Sequence, residues 1–290
     1  SIGQIDALGV DVLDIQNNAV VHITENNAVD LINAGIHFAD NDENVTLDVE
    51  GANAEGSYLT GKAGGLGMLG GLSIGEIDAL GVDVLDIQGN AVVHLSEGNA
   101  VDLINAGIHF ADNDTNVTLD VQANDAEGSY LTGKQGMLGG LSIGQIDALG
   151  VDVLDIQNNA VVHITENNAV DLINAGIHFA DNDENVTLDV EGANAEGSYL
   201  TGKAGGLGML GGLSIGEIDA LGVDVLDIQG NAVVHLSEGN AVDLINAGIH
   251  FADNDENVTL DVEGANAEGS YLTGKAGGLG MLGGLSIGEI

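Results

Sequence analysis

Two kinds of side-chain cluster in this chain have the chemistry to hold a cation. The first is the run Asp40-Asn41-Asp42-Glu43-Asn44, which packs carboxylate and amide oxygens into a short stretch. Hard cations such as calcium take about six to eight oxygen ligands. The run returns at Asp112–Asn116, Asp181–Asn185 and Asp253–Asn257, which makes Asp40, Asp42, Asp112, Asp114, Asp181, Asp183, Asp253 and Asp255 the candidate ligands. Thr115 stands where the first copy has Glu43, so that position is dispensable. EF-hand spacing is missing. Asp and Asn also favour turns for their own backbone bonds, so a solvated turn is the competing reading, with diffuse cation screening beside it.

The second cluster is made of histidine and aspartate. With antiparallel strand pairs centred on the expected turns, His22 falls across from Asp11 and His37 across from Asp48, as do His94 from Asp83 and His109 from Asp120. A row of His and Asp on one sheet face could take zinc or copper, or make assembly respond to mild acid. The competing reading is a plain cross-strand ion pair, which stabilises by about 0.2–1 kcal/mol. A third signal is a decoy. Gly56-Ser57-Tyr58-Leu59-Thr60-Gly61-Lys62 imitates a phosphate-binding loop, yet Ala63 or Gln135 follows where Ser or Thr is required. All four lysines of the chain sit in this segment, where links to carboxylates of a neighbouring module are the simpler role.

The elements that position these residues are repeated. The opening Ser1-Ile2-Gly3-Gln4-Ile5-Asp6-Ala7-Leu8-Gly9 returns at Ser73, Ser142 and Ser214, and begins again at Ser286. The repeats are 1–72, 73–141, 142–213 and 214–285, with 286–290 starting a fifth. Such an array supplies length, spacing or multivalency more readily than a single active site. Catalysis usually needs one asymmetric constellation, and here every acid recurs, so the reading is non-enzymatic.

Each repeat contains two like modules. Ser1 with Gln4, or Ser73 with Glu76, has capping-box spacing for a helix that stops at Gly9 or Gly81. Val10–Ile15 and Ala19–Ile23 alternate as strands about the turn Gln16-Asn17-Asn18. Thr24 then caps a second helix over Glu25–Ala34, which ends at Gly35. Ile36–Phe38 and Val45–Val49 follow as a second strand pair. The expected fold is a helix–hairpin–helix–hairpin unit. It is a two-layer α/β (α+β) arrangement with an antiparallel sheet, stacked into a rod or filament. Val10, Val12, Val21 and Ile23 would face the helices. Leu13 and Val20 would lie on the outer face, where another copy would cover them. The Gly/Leu/Met segment Ala63–Leu72 is expected to be ordered against the next repeat.

Composition narrows the partners. The chain carries 46 Asp and Glu against 4 Lys, for a formal net charge of −42. Nucleic acid and nucleotide are excluded by the want of a basic face, and cations should favour folding or assembly. No run is apolar and long enough to insert in a membrane. Self-association with further repeats or copies is the expected partnership.

The run Ile5-Asp6-Ala7-Leu8-Gly9-Val10-Asp11-Val12-Leu13-Asp14, with Leu31–Asp40 and Val45-Thr46-Leu47, resembles the repeats of large secreted adhesin-like surface proteins of Gram-negative bacteria. Those proteins are exported by type I secretion, often beside calcium-binding repeats. The resemblance covers about 50 residues of each copy. It implies an extracellular or cell-surface location, a structural or adhesive role, and calcium-rich surroundings. The Gly/Leu/Met segment departs from that pattern and leaves a more specialised filament open. A repeated calcium-binding module is the alternative function.

Overall fold

The computed structural model describes residues 1–49, 68–69, 72–89, 92–115, 117–121, 137–138, 141–157, 161–183, 186–190, 209–210, 213–229, 234–253, 255, 258–261, 281–282 and 285–286. The Gly56–Lys62 run, the four lysines and most of the Gly/Leu/Met segment lie outside these residues. Contacts group the chain into two units. One holds Ser1–Asp125, Met137–Asn158 and Ala175–Ile177. The other holds Ala126–Gly136, Asn159–Asn174 and His178–Ile290.

The helices begin on the residues the sequence singles out, and the later ones also end on the expected glycines, whereas the first, Ile2–Asp6, is closed by Ala7 before it reaches Gly9. Helix Ile74–Leu80 opens with a capping box: the Ser73 hydroxyl accepts the Glu76 amide at 3.2 Å, and the Glu76 carboxylate accepts the Ser73 amide at 2.9 Å. These bonds hold the Glu76 carboxyl below its ordinary range. Ser142 with Gln145 and Ser214 with Glu217 repeat the pattern. Helix Glu97–Ala106 is capped by Ser96, whose hydroxyl accepts the Asn99 amide at 3.2 Å. It stops at Gly107, in the left-handed region.

The strands form where expected, but they do not pair as expected. The sheet is parallel. Val21–Thr24 lies beside Val45–Val49, which lies beside Val84–Ile87, which lies beside His109–Phe110, all in one direction. Strands Val93–Ser96, Val117–Val121 and Val153–Ile156 are joined in the same way. In the second unit Val162–Thr165, Val186–Val190, Val225–Ile228 and His250–Phe251 repeat the order. The antiparallel helix–hairpin–helix–hairpin arrangement is therefore corrected to repeated βα units. The run Gln16–Asn18 is a turn of 3₁₀ helix that carries the chain from one sheet to the next, not the bend of a hairpin. Parallel neighbours need long crossovers, and helix Glu25–Ala34 lies in the one between Val21–Thr24 and Val45–Val49. Among the described residues the antiparallel pairs are two-residue ladders such as Met68–Leu69 with Leu72–Ser73, just before the capped helix.

Each larger sheet thus spans two repeats. Two strands come from the second halves of one repeat's modules, and the strands beside them come from the first halves of the next repeat's modules. Leu95, Leu119 and Leu154 stand in register across one such seam, each at 0% exposure. Helix Ile74–Leu80 packs on helix Glu25–Ala34 and on strand His37–Phe38 of the repeat before it. In the strands of the Val84–Ile87 type the core positions are Leu85 and Ile87, while Val84 is half-buried. The expectation that Leu13 and its equivalents face outward is corrected: Leu85, Leu154 and Leu226 are core residues at 0% exposure. A one-residue shift of register exchanges the two faces of a strand.

Candidate metal centre

His94, Asp120 and Asp155 come together on the sheet face opposite the core positions. Along their strands Val93, Leu95, Leu119, Val121, Leu154 and Ile156 are buried, and the residues between them are turned the other way. The parallel register sets Asp120 beside Asp155, and Thr118 beside His94. His94 reaches diagonally across, so that Nδ1 and Asp120 Oδ1 stand 2.7 Å apart. The same triad is built by His22, Asp48 and Asp86, and by His163, Asp189 and Asp227. In all three, one ligand atom from each residue lies within 4.8 Å of the others. His235 and Asp261 form the equivalent pair at 3.0 Å, without a third member among the described residues. These His/Asp groups could hold a metal ion.

The third member always comes from the next repeat. Asp86 follows His22 and Asp48 across the repeat boundary, as Asp155 follows His94 and Asp120. The expected pairs are replaced. His22 bonds Asp48 rather than Asp11, and His94 bonds Asp120 rather than Asp83, because the neighbours are parallel strands of other modules. His109 is placed in register with Val84, close enough to Asp83 to favour the charged carboxylate. Asp86, Asp155 and Asp227 are absent from the ligands expected from sequence. The signal is there, since V-L-D-I and V-T-L-D-V both carry Asp one residue before the strand's end.

The acidic loops divide their two aspartates between different tasks. Asp40, Asp112, Asp181 and Asp253 are exposed. Asp42 is buried, and both its carboxylate oxygens stand 3.1 Å from the Ile15 amide. Asp114 accepts the Ile87 amide at 3.2 Å, and Asp255 accepts that of Ile228 at 3.2–3.3 Å. Asp183 is half-buried, and its backbone amide donates to Ala180 at 2.9 Å. The second aspartate of the loop, where that bond is seen, therefore satisfies an amide at the end of a strand that would otherwise be orphaned. A further carboxylate, Asp83, accepts the Val45 amide at 3.2 Å across the repeat boundary.

Removing these carboxylates from water shifts their protonation. Partial burial raises the carboxyls of Asp83 and Asp255 above their ordinary range, against the pull of the amides they accept. Asp114 is pushed up to about 6 by burial, with Asp86 and Asp152 adding repulsion. Its folded value thus exceeds its unfolded value of 3.8. The folded state binds the extra proton, so this group's contribution is greatest in acid and is lost as pH rises from about 4 to about 6. Asp114→Asn, which keeps an oxygen for the Ile87 amide, should raise the melting temperature at pH 7. It should also flatten the fall in stability between pH 4 and pH 6. Parallel melting-temperature curves for the two proteins would show that Asp114 does not set this slope.

No family model matches the chain, and no curated protein compared with it matches either. Among the described residues no helix is long and apolar enough to cross a membrane.

Proposed function

We propose that this chain is a non-enzymatic structural repeat protein, an extendable array that builds an extracellular bacterial fibre, filament or adhesin stalk. The observation that supports the reading best is the sharing of each larger parallel sheet between consecutive repeats. Backbone bonds, buried leucines and the Asp83 bond to Val45 all cross that boundary. Repeats joined in this way resist being pulled apart as beads, which suits a load-bearing role, and their partners are further repeats or further copies. The charge of −42 keeps such an array soluble and gives neither nucleic acid nor nucleotide a basic surface to bind. Electron microscopy of native material from cells and medium tests the reading. Continuous filaments or cell-tethered rods with an axial repeat are expected, and dispersed globular particles would overturn it.

Calcium binding is the second reading, and the recurrence of the acidic loops is what favours it. The exposed Asp40, Asp112, Asp181 and Asp253 would carry it, since the second aspartate of the loop is engaged by a strand amide where that bond is seen. Equilibrium dialysis decides it: stoichiometric calcium per loop supports the module, and weak, salt-sensitive uptake reduces it to screening.

A further inference from the structure

We infer that the His–Asp–Asp triads are binding sites for a divalent metal ion of the zinc type, and that each ion fastens one repeat to the next. The ligand set is the first reason. Imidazole nitrogen and carboxylate oxygen are both zinc donors, and three protein ligands with a fourth position open is a coordination zinc adopts, whereas calcium wants an all-oxygen shell. The second reason is spacing. Ligand atoms around a tetrahedral zinc ion stand about 3.4 Å apart, a value between the 2.7 Å His–Asp separation and the 4.8 Å within which all the ligand atoms of each triad fall.

The third reason is charge. Asp48 and Asp86 are in register on adjacent strands, as are Asp120 and Asp155, and Asp189 and Asp227. Like charges set opposite one another in a sheet are destabilising. The facing imidazole offers at most one positive charge, and a divalent ion between the carboxylates turns the repulsion into attraction. The arrangement is built three times, once on sequence that differs in the capping residue, Ser96 for Thr24 and Thr165. Because the third carboxylate belongs to the following repeat, an ion at this position bonds across the seam.

This seam chemistry stands whether or not the array proves to be a fibre. The test is zinc titration of the full chain by calorimetry after exhaustive chelation, with cobalt(II) as a spectroscopic probe and calcium as the comparison. The expected result is one zinc ion for each of the three triads among the described residues, a visible tetrahedral cobalt spectrum, and a higher melting temperature with zinc than with equal calcium. Two variants separate a site from screening. Replacing Asp86, Asp155 and Asp227 together by Asn should weaken zinc binding by about tenfold or more, in line with losses seen when metal-site partners are removed. Replacing Asp40, Asp112, Asp181 and Asp253 together by Asn removes more charge and should leave zinc affinity unchanged.

Circular dichroism is the check that both variants fold. Should the triple variant not fold, His94→Gln alone is expected to reduce the zinc count by one. Equal losses in the two multiple variants, equal binding of zinc and calcium, or no stoichiometric zinc would each overturn the inference.

Discussion

Gly150→Ala is expected to destabilise the protein by about 3 kcal/mol, read as a shift of the urea unfolding midpoint. Two costs combine. Gly150 holds φ at +81°, where an L side chain costs about 1–2 kcal/mol. A Cβ there would also stand 3.1 Å from the Phe110 carbonyl oxygen and 3.2 Å from its Cβ. Phe110 is buried in the preceding repeat and cannot retreat without opening the core, and overpacking of this kind costs about 1–3 kcal/mol more. Gly107 provides the control. It has φ +75° but nothing within 4 Å of the place a new methyl group would take, so Gly107→Ala should lose only the backbone cost. Equal effects at the two positions would mean that the contact between Gly150 and Phe110 is slack. The same pair of neighbours recurs as Gly81 with Phe38 and Gly222 with Phe179.

Leu119→Ala should cost as much or more, about 2–5 kcal/mol for a fully buried leucine. Leu119 sits in the central strand of its sheet, between Leu95 of its own repeat and Leu154 of the next. The cavity would therefore lie on the seam itself. Val92→Ala, at an exposed position, should change stability by no more than about 0.5 kcal/mol. Chemical denaturation of both variants checks this, with a second transition expected in Leu119→Ala if repeats unfold separately once their shared sheet is weakened. A loss below about 1 kcal/mol would show that the seam does not depend on tight packing.

The helices are legible in the sequence because their signals are local. Ser73 with Glu76, Ser96 with Asn99, and the glycines at 81 and 107 act within a turn or two of their own positions. The strands are legible as segments, since apolar alternation over Val93–Ser96 and Val117–Val121 needs no knowledge of partners. Partner and direction are not, because period-two alternation is the same for a parallel and an antiparallel neighbour. The short turn at Gln16–Asn18 imitates a hairpin, and only the three-dimensional path shows that it changes sheets.

The candidate site inherits that error. Histidine and aspartate are recognisable as the chemistry of the outer face, but antiparallel pairing assigns them the wrong partners. Composition alone cannot distinguish the exposed Asp40 from the buried Asp42 in the acidic loop. Gly81 and Gly107 likewise look alike in sequence, and only the approach of Phe38 to the first separates them.

The offset between the repeat of the sequence and the sheets of the fold has a consequence for any attempt to shorten or recombine the array. A cut at the start of a repeat, before Ser73 or Ser142, severs a four-residue ladder and leaves half-sheets with bare edges. A cut in the stretch between Ile87 and Val93 leaves those ladders whole. It gives up the two-residue pairing of Val84–Ile87 with His109–Phe110, the Asp114 bond to the Ile87 amide, and the packing of helix Ile74–Leu80 on helix Glu97–Ala106. The stretch of sequence that was copied and the piece that keeps its longest ladders are thus out of phase by part of a repeat. A ring-shifted single copy, beginning at a second-half strand, should behave as the more self-contained brick, where the literal copy would stick to its neighbours.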